Sequence, residues 1–198
     1  YKERDNKGKP YGIALYPLSD DDGAYYQGRR LDELYSELKK EGIALRIYEV
    51  GSKYQVARAM VKVEKRFGPK NKPIFALIAG HGSPDSITLD DTENKDGEQN
   101  ITTNNARGLL LQSDFKGEGA KRLGDFLEKD ADIVLYSCRT GAEGGIAETM
   151  SESYPGHHVT GPIEPAATGT TFHIYKEGNK FHLRVAYAQT EAKNYYVP

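Results

Sequence analysis

The sequence contains a single cysteine, Cys138, among 198 residues. No disulfide can form within the chain, and a zinc site built from several thiolates is excluded. An excess of charge is also lacking: 27 Lys and Arg stand against 29 Asp and Glu, for a net charge of −2. No basic field therefore argues for nucleic acid or an anionic membrane as partner. No apolar run approaches the roughly 18 residues that a membrane-crossing helix needs. No signal or transit segment is visible, and there is no internal repeat. The first residue is Tyr1 rather than Met, which points to a fragment of a longer chain. A lone thiol is compatible with a reducing compartment, yet cytoplasmic and secreted locations both stay open.

A chain of this length builds one sizeable core without requiring two domains. The expectation is a single domain over 1–198, with residues 1–10 peripheral, 90–117 a long mobile loop and 171–187 a C-terminal hairpin. "YGIALY" (11–16) and "IALRIYEV" (43–50) read as strands. Leu31, Leu34, Tyr35 and Leu38 recur at helical spacing before Gly42. A second helix spans 53–67, with Val56, Met60, Val63 and Phe67 on one side. The continuous apolar run from Ile74 to Ala79 suits a strand covered on both faces. This β-α-β-α-β order predicts a three-layer α/β/α sandwich around a mostly parallel sheet.

Further along, "SITL" (86–89) is a short hairpin strand. Residues 119–130 resume helical spacing through Leu123, Phe126 and Leu127. A buried strand from Ile133 to Tyr136 leads to Cys138 and a glycine-rich turn, with a helix over 144–154 after it. "HHVTG", "TFHIYKE" and "KFHLRVAY" read as strands, the last two forming the hairpin.

Two buried strands thus end in reactive side chains, His81 between two glycines and Cys138. Sites in parallel α/β sheets form at the carboxyl ends of strands. A neighbouring imidazole promotes ionisation of a thiol and later protonates the leaving amine. Gly82 has no side chain to block approach, so its N–H and that of Cys138 can form an oxyanion hole.

"AGHGS" followed by "IVLYSCRTG" resembles the caspase-like (clan CD) cysteine peptidases, among them metacaspases, gingipains, clostripain, CHAT-domain proteases and the self-cleaving domains of bacterial toxins. The shared signature is an apolar block ending in His-Gly and a second ending in a small residue and Cys. Here the blocks end in His81-Gly82 and Ser137-Cys138. The order His before Cys also sets the chain apart from papain-like enzymes, and the Gly-x-Ser-x-Gly elbow of α/β-hydrolases is absent. The resemblance covers roughly residues 11–175 and implies a caspase-like fold. It further implies a cysteine endopeptidase, with His81 and Cys138 as dyad and Gly82 and Cys138 as oxyanion hole. Protein or peptide substrates follow, and no cofactor is required.

Metacaspases carry Asp two residues before the nucleophile as part of a pocket for basic P1 side chains. Tyr136 holds that place here, beside Ser137. The loop after the first strand also contributes to this pocket in the group, so Asp20, Asp21 or Asp22 could receive Lys or Arg, unless the turn is simply solvated. Arg29 and Arg30 offer the opposite preference. Glu164 falls where the group builds its substrate groove. The loop between the two motifs lies where caspase-like zymogens are cut, making Arg107 and Lys116 candidate processing points.

Several relatives in this group are calcium-activated, but "DDTENKDGEQN" puts Thr92 and Thr103 where an EF-hand needs Asp and Glu around Gly97. No metal ligands are assigned. "SCRTGAEGG" lacks the spacing of a dinucleotide fingerprint and the Lys of a phosphate loop, whereas a turn placing Cys138 near a helix N-terminus fits. His157 and His158 have no identifiable third metal ligand and read as ordinary strand positions. The alternative function is a catalytically silent binding module on the same scaffold.

Overall fold

The structure, a computed structural model, describes residues 8–25, 30–92, 99–106, 110–111 and 121–198. Strand β1 (Tyr11–Pro17) is buried at every position. Helix α1 (Arg30–Lys40) has Asp32 and Glu33 in its first turn and Lys39 and Lys40 in its last, each complementing the helix dipole. Gly42 follows with φ +70°, the left-handed conformation that closes helices. Strand β2 (Ala44–Val50) then pairs parallel with β1 from Tyr11↔Ala44 to Pro17↔Val50. The Ser52 hydroxyl accepts from the Gln55 N–H to cap α2 (Lys53–Phe67). That helix returns the chain to β3 (Phe75–Ala79), which lies on the other side of β1.

Next comes a small antiparallel sheet of β4 (His81–Ser83), β5 (Ser86–Thr88) and β6 (Asn100–Thr102). The short α3 (Thr103–Ala106) follows, and β7 (Leu110–Leu111) pairs with β8 (Lys121–Arg122). A 3-10 turn (Leu123–Phe126) leads to β9 (Asp132–Tyr136), α4 (Ile146–Ser153) and β10 (His158–Pro162). The chain closes with β11 (Ala167–Glu177), β12 (Lys180–Ala188) and β13 (Ala192–Tyr196). The central sheet runs β13-β10-β9-β3-β1-β2, parallel throughout except at β13.

The two faces of this sheet carry separate cores, as the alternation along β3 requires. Ala76 and Ile78 join Val56, Met60 and Val63 of α2 and Ile146 and Met150 of α4. Phe75, Leu77 and Ala79 join Leu34 and Leu38 of α1 and Phe172, Leu183 and Val185 of the β11–β12 hairpin. The protein is therefore a mixed α/β sandwich around a mostly parallel sheet. One covering layer is helical, and the other combines a helix with a β-hairpin. No helix among the described residues is long and apolar enough to cross a membrane.

Two expectations need correction, and one strand adds to those expected. Of the segment 119–130, the described residues 121–130 are not a helix: β8 and the 3-10 turn stand there, and Leu127 is already extended at φ −96°. Leu123, Phe126 and Leu127 are buried all the same, because a tight turn followed by an extended residue satisfies that spacing too. The segment 90–117 is not one structureless loop, since β6 and α3 lie in it and bury Ile101 and Ala106 completely. Three-residue strands are too short to show a period. Finally, β13 escapes the sequence pattern because an edge strand with a half-exposed face reads as polar.

Candidate functional site

The chain passes from β1 to β2 on one side and then to β3 on the other, so strand order reverses between β1 and β3. A crevice opens at the carboxyl ends of strands at such a point. Into it lead the acidic turn after β1, the Gly80-His81-Gly82 segment after β3, and Ser137-Cys138 after β9. The last register pair of β3 and β9 is Ala79↔Tyr136, so His81 and Cys138 each stand two residues past it on adjacent parallel strands.

Both glycines flanking His81 answer to close approach. A Cβ at Gly80 would stand 2.2 Å from the Thr88 carbonyl oxygen. One at Gly82 would stand 2.5 Å from the Cys138 carbonyl oxygen and 2.7 Å from its nitrogen. Without side chains, the backbone of Gly82 lies directly against that of Cys138. The two segments are further joined where the Ile146 N–H donates to the Pro84 carbonyl at 2.8 Å.

The His81 imidazole is 36% exposed and surrounded by carboxylates. Its Nε2 stands 3.1 Å from Asp20 Oδ1, 3.4 Å from Asp22 Oδ1 and 3.6 Å from Asp91 Oδ2. Tyr25 meets the ring edge-on at 5.3 Å and donates its hydroxyl to the Gly80 carbonyl. Its N–H donates to Asp20 Oδ2 at 2.7 Å. Burial, and after it the neighbouring Cys138, Asp20 and Asp22, push the Tyr25 hydroxyl well above the ordinary phenol range. Tyr25 is thus a shared neighbour of His81 and Cys138. The Ala24 N–H, the Asp20 side chain and His81 together hold the Asp22 carboxyl below its usual range. Asp21 donates its N–H to Asp91 at 3.2 Å, and Ser19 bonds both Asp90 and the Asp91 N–H, tying the two acidic turns together.

Cys138 is a half-buried free thiol. Ser137 is buried beneath it, its carbonyl accepting from Thr140 Oγ1 at 2.9 Å. Arg139 adopts φ +59°, the left-handed region that L side chains rarely visit. The chain turns through residues 139–145 before α4 begins, so Cys138 is not on the first turn of that helix. The glycines of the turn serve packing: a Cβ at Gly141 would stand 2.2 Å from the Gly161 oxygen, and one at Gly145 2.7 Å from that of Pro84.

The structure gathers Asp20, Asp22, His81, Gly82, Ser137 and Cys138 at one rim. Tyr136 is buried, with its ring against Tyr25 at 5.5 Å and Phe172 at 5.8 Å. Asp21 is exposed beside its neighbours. Glu164 is exposed, and its carboxylate lies 3.7 Å from Arg139 Nε. Arg107, Lys116 and Arg29 lie outside the described residues. His157 is buried against the Ala131 carbonyl and His158 stacks on Tyr196 at 4.5 Å. Tyr25, Asp91 and Arg139 were not anticipated as site residues. Only the acidic run holding Asp91 gave any hint, because nothing local tells which turn a distant histidine will meet.

Ligand atoms of Asp20, His81 and Asp91 lie within 4.8 Å of one another, close enough for a cation to bridge. Hydrogen bonds within the cluster already account for this arrangement. No family model matches the chain, and no curated protein or solved structure matches it.

Proposed function

We propose that the chain is a cysteine endopeptidase of the caspase-like kind. The observation that carries this reading is the arrival of His81 and Cys138 at one level of adjacent strands, with the Gly82 backbone against that of Cys138. His81 takes the thiol proton, and Cys138 Sγ attacks the scissile carbonyl carbon. The resulting oxyanion accepts hydrogen bonds from the N–H groups of Gly82 and Cys138. As the C–N bond breaks, His81 returns the proton to the leaving amine. Water, deprotonated by the same imidazole, then attacks the thioester and frees the carboxylic acid product. Every step uses side chains and backbone alone.

The acidic turns favour a basic P1 side chain. Asp22, exposed and held ionised, and Asp21 beside it are the carboxylates positioned to meet Lys or Arg from solvent. Self-processing at Arg107 or Lys116 belongs to the same reading.

Cys138→Ala and His81→Ala should each lower kcat by roughly 10⁴-fold or more with the fold retained by circular dichroism. A peptide library cleaved by the native chain reads activity and P1 preference together, and full activity in either variant rejects the mechanism. Labelling with an electrophilic peptide separates the rival class. Rapid modification of Cys138 marks an activated thiol, whereas inertness marks a binding module without turnover.

A further inference from the structure

Charge is spread unevenly along this chain. Residues 53–72 hold seven of the 27 Lys and Arg but a single acid, Glu64, so the rest of the chain sums to −8 against a total of −2. The near-zero net charge that argues against nucleic acid is thus an average over a basic segment and an acidic remainder. Most of the basic segment is helix α2, which turns Val56, Ala59, Met60 and Val63 to the core. Pointing away from the sheet, Tyr54, Arg58, Lys62, Lys65 and Arg66 form an exposed stripe, and Lys70 just past the helix is exposed too. Glu64 is turned aside, its two carboxylate oxygens 2.9 and 2.7 Å from Lys121 Nζ. No carboxylate of α2 therefore stands on the stripe. Alternating signs strengthen an exposed helix, whereas the like charges at i,i+4 here, Arg58 with Lys62 and Lys62 with Arg66, weaken it. An anion laid along the stripe removes that repulsion.

We propose that this face of α2 binds the backbone of single-stranded nucleic acid. Three features select that partner. Arg58, Lys62 and Arg66 recur at a rise of roughly 6 Å along one axis, a regular row suited to a polymer that carries a phosphate at every residue. The stripe has no Leu, Ile, Phe or Trp to sink into a bilayer, which sets lipid aside. At its head stands Tyr54, 61% exposed, with Lys53 Nζ 5.1 Å from the ring centroid. A phenol ring open to solvent beside cations is a stacking surface for a base, and only an unpaired strand has its base faces free. Because β2 ends at Val50 and α2 begins at Lys53, the Tyr54 end lies at the rim where the strands of the sheet end, and the row runs back from there. Contacts of this kind read phosphate and the face of a base, so binding is independent of sequence.

The test is fluorescence anisotropy of the full chain with a short labelled oligothymidine across a salt series. Four cations on phosphates should give a slope of log affinity against log salt of about −3, at roughly 0.7 for each contact. Arg58→Gln and Lys62→Gln should each reduce the slope by about 0.7, which weakens binding about fivefold near 0.1 M salt. Tyr54→Ala should weaken it about tenfold at an unchanged slope. Lys39→Gln with Lys40→Gln, on α1, removes charge from another element and should leave the affinity within about twofold of native. No binding at low salt, or an equal loss in the α1 variant, would overturn the proposal. So would displacement by polyglutamate or by phosphatidylserine vesicles as effective as that by unlabelled oligothymidine, which would make the face a general anion surface. Equal affinity for a duplex of the same length, or native binding by Tyr54→Ala, would overturn the single-strand assignment. The salt slope and the competitions use the native chain and need no variant to fold. None of these readouts involves peptide cleavage, so this proposal and the peptidase reading fail separately.

Discussion

At Gly82 the constraint is space rather than backbone freedom. Any side chain there meets the Cys138 carbonyl at 2.5 Å, and backbone atoms cannot swing aside as a flexible side chain can. Gly82→Ala should therefore lower stability by about 1–3 kcal/mol and separate His81 from Cys138. Urea unfolding and probe labelling read the two effects, and normal labelling at native stability would contradict this account. Arg139 makes the complementary point. Its left-handed backbone, φ +59°, is strain carried by the residue after the proposed nucleophile. Arg139→Gly should melt close to the native chain, while β-branched Arg139→Val should lose about 1–2 kcal/mol. Equal melting of the two variants would place the turn in another conformation.

Among the elements, the β11–β12 hairpin takes a place that a helix could have filled, and specific bonds hold it there. The Tyr187 hydroxyl donates to the Leu135 carbonyl at 2.8 Å, and Asp132 Oδ2 accepts the Leu183 N–H at 2.9 Å. Tyr187→Phe leaves a buried carbonyl of β9 without this donor and should cost about 1–2 kcal/mol by thermal unfolding. The corner between α4 and β10 predicts a pH effect. Burial depresses the His157 pKa, with hydrogen bonds to backbone carbonyls opposing it only partly. A histidine whose folded pKa lies below its unfolded value binds more protons when unfolded. Its contribution is fully present above about pH 6.5 and lost as pH falls through that value towards the folded pKa, at no more than about 1.4 kcal/mol per pH unit. Melting curves across this window should be steeper for the native chain than for His157→Gln, and parallel curves would remove the effect.

Over the whole molecule, each strand neighbour matters to the site. Strand β13 covers the edge of β10, and the Tyr195 hydroxyl donates to the carbonyls of Gly141 and Ala142 at 3.1 Å each, within the turn that follows Cys138. Removing residues 189–198 bares that edge and frees the turn. Self-association by size-exclusion chromatography and slower labelling of Cys138 are the expected results. A monomer with native labelling would show that β13 supports neither.

The sequence by itself determined β1, β2, β3 and β9, because continuous apolar runs bounded by glycine and polar residues have few other ways to hide from water. It also determined α1 and α2, and it marked His81, between two glycines, and Cys138 as strand-end residues. Tertiary structure alone decided that β3 and β9 are neighbours, that the hairpin shares a face with α1, and that Asp20 faces an imidazole 61 positions away. Local periodicity reports which face of an element is apolar and nothing about what that face will meet. Pairing across such distances is chosen by packing of the whole chain, which is why a turn that reads as solvated acid becomes the buried partner of His81.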